Sequence, residues 1–115
     1  MFPSLEHEIY ELHSRLCSGL ADPKRILILY ALSERTQRVT DLCQSLGFPQ
    51  SSVSRQLKNL RDRGMVIAKR EGQSVYYHLS DRRIIQALDL MREVLADQLA
   101  SQASLAQSVS DLDKA

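Results

Sequence analysis

The 115-residue chain is poor in the residues from which metal sites and phosphate loops are built. Its two cysteines, Cys17 and Cys43, stand 26 positions apart and form neither a Cys-x-x-Cys pair nor a zinc spacing. Four glycines and three prolines argue against a fibrous or low-complexity chain, and no glycine-rich phosphate loop is present. Ser, His and Asp fall at no recognisable catalytic spacing, so neither an enzyme nor a cofactor is expected. The longest apolar run, Ile26 to Leu32, is too short to span a bilayer. The start, MFPSLEHE, has neither the basic region nor the apolar core of a signal peptide. A soluble cytoplasmic protein without a membrane partner is the expectation, with one domain's length of chain.

What is present is charge, unevenly placed. From Gln50 to Gln73, six cations (Arg55, Lys58, Arg61, Arg63, Lys69, Arg70) stand against Asp62 and Glu71, a balance of +4. From Met1 to Asp22 only Arg15 opposes four acids, a balance of −3, although the whole chain carries just +1. A basic block is often no more than a solvated face, so the asymmetry acquires meaning only from a motif.

Periodicity supplies the order of elements. Leu5, Ile9, Leu12 and Leu16 form one stripe of an amphipathic helix running to about Gly19. Asp22-Pro23 offers a cap and a preorganised first turn for a second helix to about Ser33, whose run ILILYAL is apolar nearly all round and should be buried. Thr36 to Val39 has room only for a small edge strand, and Val39, Leu42 and Leu46 mark a third helix ended by Gly47. After the Phe48-Pro49 corner a fourth helix begins at Pro49 or Gln50, turns Val53, Leu57 and Leu60 to one side, and stops at Gly64. The period then falls to two. Val66 to Glu71, the turn residues Gly72-Gln73-Ser74, and the row Val75, Tyr77, Leu79 read as a β-hairpin with a basic rim. Ser80 is placed to cap a last helix, stapled by Leu79 and Ile84, that carries Ile84, Leu88, Met91, Leu95 and Leu99 on one stripe. A domain over residues 1–100 is expected, followed at 101–115 by a helix extension or disordered tail rich in Ser, Gln, Ala and Asp.

Five helices with a two-stranded wing make a mainly α, winged helix-turn-helix plan. In that plan the second helix of the pair enters the major groove of double-stranded DNA by its N-terminal end. Gln50, Ser51, Ser52, Ser54, Arg55 and Gln56 hold that place. Glutamine pairs with adenine, arginine with guanine and serine with several base edges, each good bidentate contact discriminating by about 1–3 kcal/mol. Lys58, Arg61, Lys69 and Arg70 are read as phosphate contacts, and Gln73 in the hairpin turn as a further DNA-binding position.

The stretches LADPKRILILYAL (20–32) and VTDLCQSLGFPQSSVSRQLKNLRDRGMVIAKREGQSVYYHLS (39–80) resemble the ArsR/SmtB family of winged-helix transcriptional repressors. Its carriers are the Leu-Ala-Asp-Pro-x-Arg start, the V-S-x-x-L helix and the G-x-x-x-Y-Y wing, and it extends over about residues 5–99. Two positions depart: Gln56 stands where the family usually has His, and Pro49 where it has Ser or Thr. The resemblance implies a homodimer packed through the first and last helices, a palindromic operator, and release by a metal, metalloid or oxidant. The stripes on those two helices need a partner surface whatever the kinship. The family's Cys-x-Cys metal site is replaced by Arg38 and Thr40, and its last-helix site keeps Asp81 but has Arg83, Val94 and Asp97 elsewhere, so no metal is expected. Two readings of Cys17 and Cys43 stay open: small buried hydrophobes, or a redox or metalloid switch. An alternative function, a helical protein-interaction module that has lost DNA binding, calls for a neutralised recognition helix, which the +4 window opposes.

Overall fold

The computed structural model describes residues 1–114 and divides the chain into two units, Met1–Arg82 and the remainder from Arg83. The first unit contains α1 (Leu5–Arg15), a 3₁₀ turn (Cys17–Leu20), α2 (Pro23–Glu34), α3 (Val39–Leu46), α4 (Gln50–Asp62) and an antiparallel hairpin of β1 (Val66–Glu71) and β2 (Ser74–Leu79). The second is one helix, α5 (Arg83–Lys114). Among the described residues no helix is long and apolar enough to cross a membrane.

Local chemistry sets the boundaries. The Asp22 carboxylate accepts from the Lys24 amide at 2.9 Å while Pro23 opens the first turn of α2. Gly47 ends α3 at φ 72° and Gly64 follows α4 at φ 74°, left-handed conformations that a side chain disfavours. The C-terminal end of α2 is held by Arg82, whose guanidinium donates twice to the Ser33 carbonyl, at 2.9 and 3.1 Å.

Ile28, Leu29 and Leu32 of α2 pack into a core with Leu42 of α3, Val53, Leu57 and Leu60 of α4, and Met65 and Val66 leading into the hairpin. α2 is therefore the buried centre that its apolar run predicts. The expected edge strand is reduced to a single rung, in which Gln37 exchanges both backbone hydrogen bonds with Tyr77, at 3.1 and 2.8 Å. The Gln37 side chain lies inside as well, its amide nitrogen donating to the Ala31 carbonyl at 2.7 Å.

Two boundaries differ from expectation, and the alternative left open for the tail falls to a helix extension. α1 stops at Arg15 because two guanidiniums hold the next segment as a 3₁₀ turn. Arg25 donates to the carbonyls of Gly19 and Ser18 at 2.7 and 3.3 Å, and Arg63 to the Ser14 carbonyl at 2.7 Å and the Ser18 hydroxyl at 2.5 Å. Ser80 does not cap the last helix, which begins at Arg83; its amide instead donates to the Met65 carbonyl at 3.1 Å, closing the base of the hairpin. α5 passes residue 100 without a break, and residues 101–114 are helical, residue 115 lying outside the described residues.

Candidate nucleic-acid interface

The corner before α4 is fixed from α2, where the Lys24 ammonium sits 5.5 Å from the centre of the Phe48 ring. Pro49 is the N-cap and contributes no side-chain cap, so the first amides of α4 have no capping oxygen. Burial then divides the helix into two arcs. Ser52, Val53, Gln56, Leu57 and Leu60 face inward, while Gln50, Ser51, Ser54, Arg55, Lys58, Arg61 and Asp62 are exposed along the opposite side.

That division corrects the expectation for two residues. Ser52 and Gln56 do not stand with the exposed serines and Arg55; they are 7% and 6% exposed. The Ser52 hydroxyl has no hydrogen-bond partner among the described residues. Gln56 has two: its carbonyl accepts from Arg25 at 2.9 Å and its amide donates to the Asp22 carboxylate at 3.1 Å. Arg25 and Asp22 lie 3.6 Å apart, so Gln56 completes a polar cluster that joins α4 to the start of α2. Residue type alone points these groups at base edges and gives no sign of the cluster.

The charge count changes too. Arg63 turns inward and is half-buried, bonded also to the Asn59 side chain at 2.8 Å. Lys58 pairs with Asp62 at 2.9 Å, and the Lys58 ammonium holds that carboxyl below the usual range. Arg55, Arg61, Lys69 and Arg70 are exposed and have no ion-pair partner among the described residues.

In the hairpin Lys69 stands opposite Tyr76 and Arg70 opposite Val75, with Gly72 and Gln73 exposed at the tip and Gly72 at φ 62°. Successive strand residues point to opposite faces, so Lys69 and Arg70 flank the ribbon instead of sharing a side. At the start of α3, Arg38 lies 6.0 Å from the centre of the Tyr76 ring of the hairpin. It also pairs with Asp41 at 3.2 Å, and Asp41 accepts from the Arg38 amide at 3.0 Å. Those bonds hold the Asp41 carboxyl below its ordinary range.

Both cysteines are free thiols. In the single chain Cys17 is exposed and Cys43 half-buried, the clamped 3₁₀ turn leaving Cys17 at the surface.

Residues 22–68 match the model of a family described as bacterial regulatory protein, arsR family. The HTH-type transcriptional regulator NmtR of Mycobacterium tuberculosis is 44% identical over 71 residues, which span 62% of this chain and 59% of NmtR. The HTH-type transcriptional regulator Rv0081 of the same organism is 34% identical over 102 residues, covering 88% of this chain and 90% of that protein. Its crystal structure superposes with a TM-score of 0.73 at 35% identity, over 83% of this chain and 96% of the other. The same fold occurs in the homodimeric winged helix-turn-helix DNA-binding domain Mb0332 of Mycobacterium bovis, with a TM-score of 0.72 at 24% identity over 86% of this chain and 94% of that one.

Proposed function

We propose, from the premise that the chain belongs to the arsR family of bacterial regulatory proteins, that it is a cytoplasmic transcriptional regulator, a repressor that binds a palindromic operator as a homodimer. The observation that carries this reading is the exposed arc of α4, where Gln50, Ser51, Ser54 and Arg55 lead and unpaired cations follow. Short hydroxyls allow close approach to base edges, Arg55 offers a fork for guanine, and Gln50 an amide for adenine. Arg61, Lys69, Arg70 and the Gln73 tip address the backbone, with Lys58 joining them once its exposed pair with Asp62 exchanges for phosphate.

Dimerisation rests on the two stripes that each need cover. No residue of α1 is buried, and Leu5, Ile9 and Leu12 are exposed. On α5, Met91, Leu95 and Leu99 are likewise exposed. A two-fold pair of recognition helices reads inverted half-sites spaced by about one helical turn, roughly 34 Å. For release of the operator, exposed Cys17 is the accessible thiol, with Cys43 as the second. A chain with both cysteines changed to serine that still responded fully to oxidant and arsenite would remove the thiol from this role.

The direct test is selection of bound genomic fragments by the purified protein at several salt concentrations. Enriched fragments should share an inverted repeat, and retention should fall steeply with salt. Fragments without a common repeat, retained equally at all salts, would refute the reading.

A further inference from the structure

We infer that the outer face of the hairpin, where Arg38, Tyr76 and Lys69 stand in one row, is a further seat for the DNA backbone, and that Asp41 holds the place that a phosphate takes on Arg38. The inference rests on the DNA-binding reading above and adds Arg38 and Tyr76 to it. Backbone register assembles the row. Gln37 pairs with Tyr77 in an antiparallel bridge, so the following residue, Arg38, comes beside the preceding one, Tyr76. Tyr76 in turn pairs with Lys69 of β1. Side chains alternate between the two faces of a sheet. Gln37 and Val66 are turned inward, each 2% exposed, so positions 38, 76 and 69 point outward.

The row is a ring between two cations. Arg38 and Lys69 are exposed with Tyr76 half-buried between them; the Arg38 guanidinium is 6.0 Å from the ring centre, and a directly paired neighbour such as Lys69 starts about 5 Å away on the other side. Lys69 has no ion-pair partner among the described residues. Arg38 is met by Asp41 in a two-pronged pair, Nε to Oδ2 and Nη2 to Oδ1, both at 3.2 Å. That fork is the one arginine offers to phosphate, and Asp41 keeps it formed before DNA arrives. The two side chains are 46% and 33% exposed, so the pair is weak in water and exchanges readily. Asp41 stays seated when the guanidinium leaves, because it also accepts from the Arg38 amide at 3.0 Å. Position selects DNA as the anion. α3 is the first helix of the pair completed by α4, and the first helix of such a pair crosses the backbone of the duplex whose groove the second enters. Arg38 is the N-cap of α3, so a duplex engaged by α4 carries phosphates past the row.

The test measures binding of the full chain, over a salt series, to the most enriched genomic fragment and to a mixed-sequence duplex of the same length. Arg38→Gln removes the charge and keeps a side chain that reaches Asp41. It should weaken both complexes by about two- to fivefold and make the slope of log affinity against log salt shallower by about one. Arg38→Lys should restore the slope and only part of the affinity, since a point charge replaces the fork. Asp41→Asn should tighten both complexes by about two- to fivefold, and most of that gain should be lost when Arg38→Gln is present as well. A wild-type salt slope in Arg38→Gln, or an Asp41→Asn gain that persists in full without Arg38, would overturn the inference and leave the exposed arc of α4 standing as the reading surface. A wild-type chain that binds neither duplex would overturn the DNA-binding reading along with it.

Discussion

Gln56→Leu is the substitution that best separates a positioning role from a reading role on α4. The Gln56 carbonyl accepts from Arg25 at 2.9 Å and its amide donates to Asp22 at 3.1 Å, and the residue is 6% exposed. Leucine fills a similar volume but makes neither bond. Arg25 keeps its bonds to the Gly19 and Ser18 carbonyls, and Asp22 keeps the Lys24 amide, so both partners remain partly satisfied. A hydrogen bond to a charged group contributes about 1.5–3 kcal/mol, and closure of the 3.6 Å gap between Arg25 and Asp22 recovers part of it. A net loss of about 2–3 kcal/mol in urea unfolding follows, out of the 5–15 kcal/mol typical of a domain. The variant therefore stays folded at room temperature, and its DNA binding remains measurable. Affinity should drop for all operators alike through loosened seating of α4, with base preference and salt slope unchanged, since the Gln56 side chain is bonded inward to Arg25 and Asp22. Retention of full stability together with altered preference at one base pair would refute the inward role and return Gln56 to the groove.

Other perturbations follow from the same geometry. Arg55→Ala should weaken operator binding by about 1–3 kcal/mol and relax preference at one base step, read by competition with single-base operator variants. Lys69→Ala with Arg70→Ala should lower affinity for every sequence and reduce the salt slope by about one for each phosphate no longer neutralised; an unchanged slope removes the wing from the interface. Gly19→Ala would put a methyl 2.8 Å from the Arg63 Cδ and 3.0 Å from the Met65 Sδ, costing about 1–3 kcal/mol in urea unfolding. Asp41 titrates below its unfolded value because Arg38 bonds its charged form. Its contribution is thus fully present above the unfolded carboxyl range and is lost as pH falls through it towards the lowered folded value. Asp41→Asn should flatten that part of the acid limb of stability, measured by denaturant titration between about pH 5 and 2.

The elements legible in the sequence are those with chemical punctuation. Asp22-Pro23, Gly47, Gly64 and the Gly72 turn each settle a backbone conformation locally, and the observed boundaries of α2, α3, α4 and the hairpin follow them. What local pattern does not reveal is polar and inward. Ser52 and Gln56 lie four apart on the arc that also holds Val53 and Leu60, so a helical wheel places them inside, but residue type alone marks them as surface groups. Arg63 is hidden likewise, since most of its partners, the Ser14 and Arg15 carbonyls and the Ser18 hydroxyl, are far away in sequence. The early end of α1 depends on those same long-range bonds, which no local pattern encodes. Residues 101–114 stay open between helix extension and disordered tail in the sequence because Gln98 and Gln102 interrupt the apolar stripe; the structure shows the helix extension.

The single rung between Gln37 and Tyr77 has a mechanical corollary. It straps the entrance of α3 to the second wing strand, so a twist of the hairpin is resisted by α2 and α3 at once. On the proposed function, wing and recognition helix are thus expected to move as one block, the wing having little slack to fold away by itself. In the dimer proposed above, a signal that releases the operator would therefore act by changing the gap or tilt between the two reading heads, with the shape of each head kept.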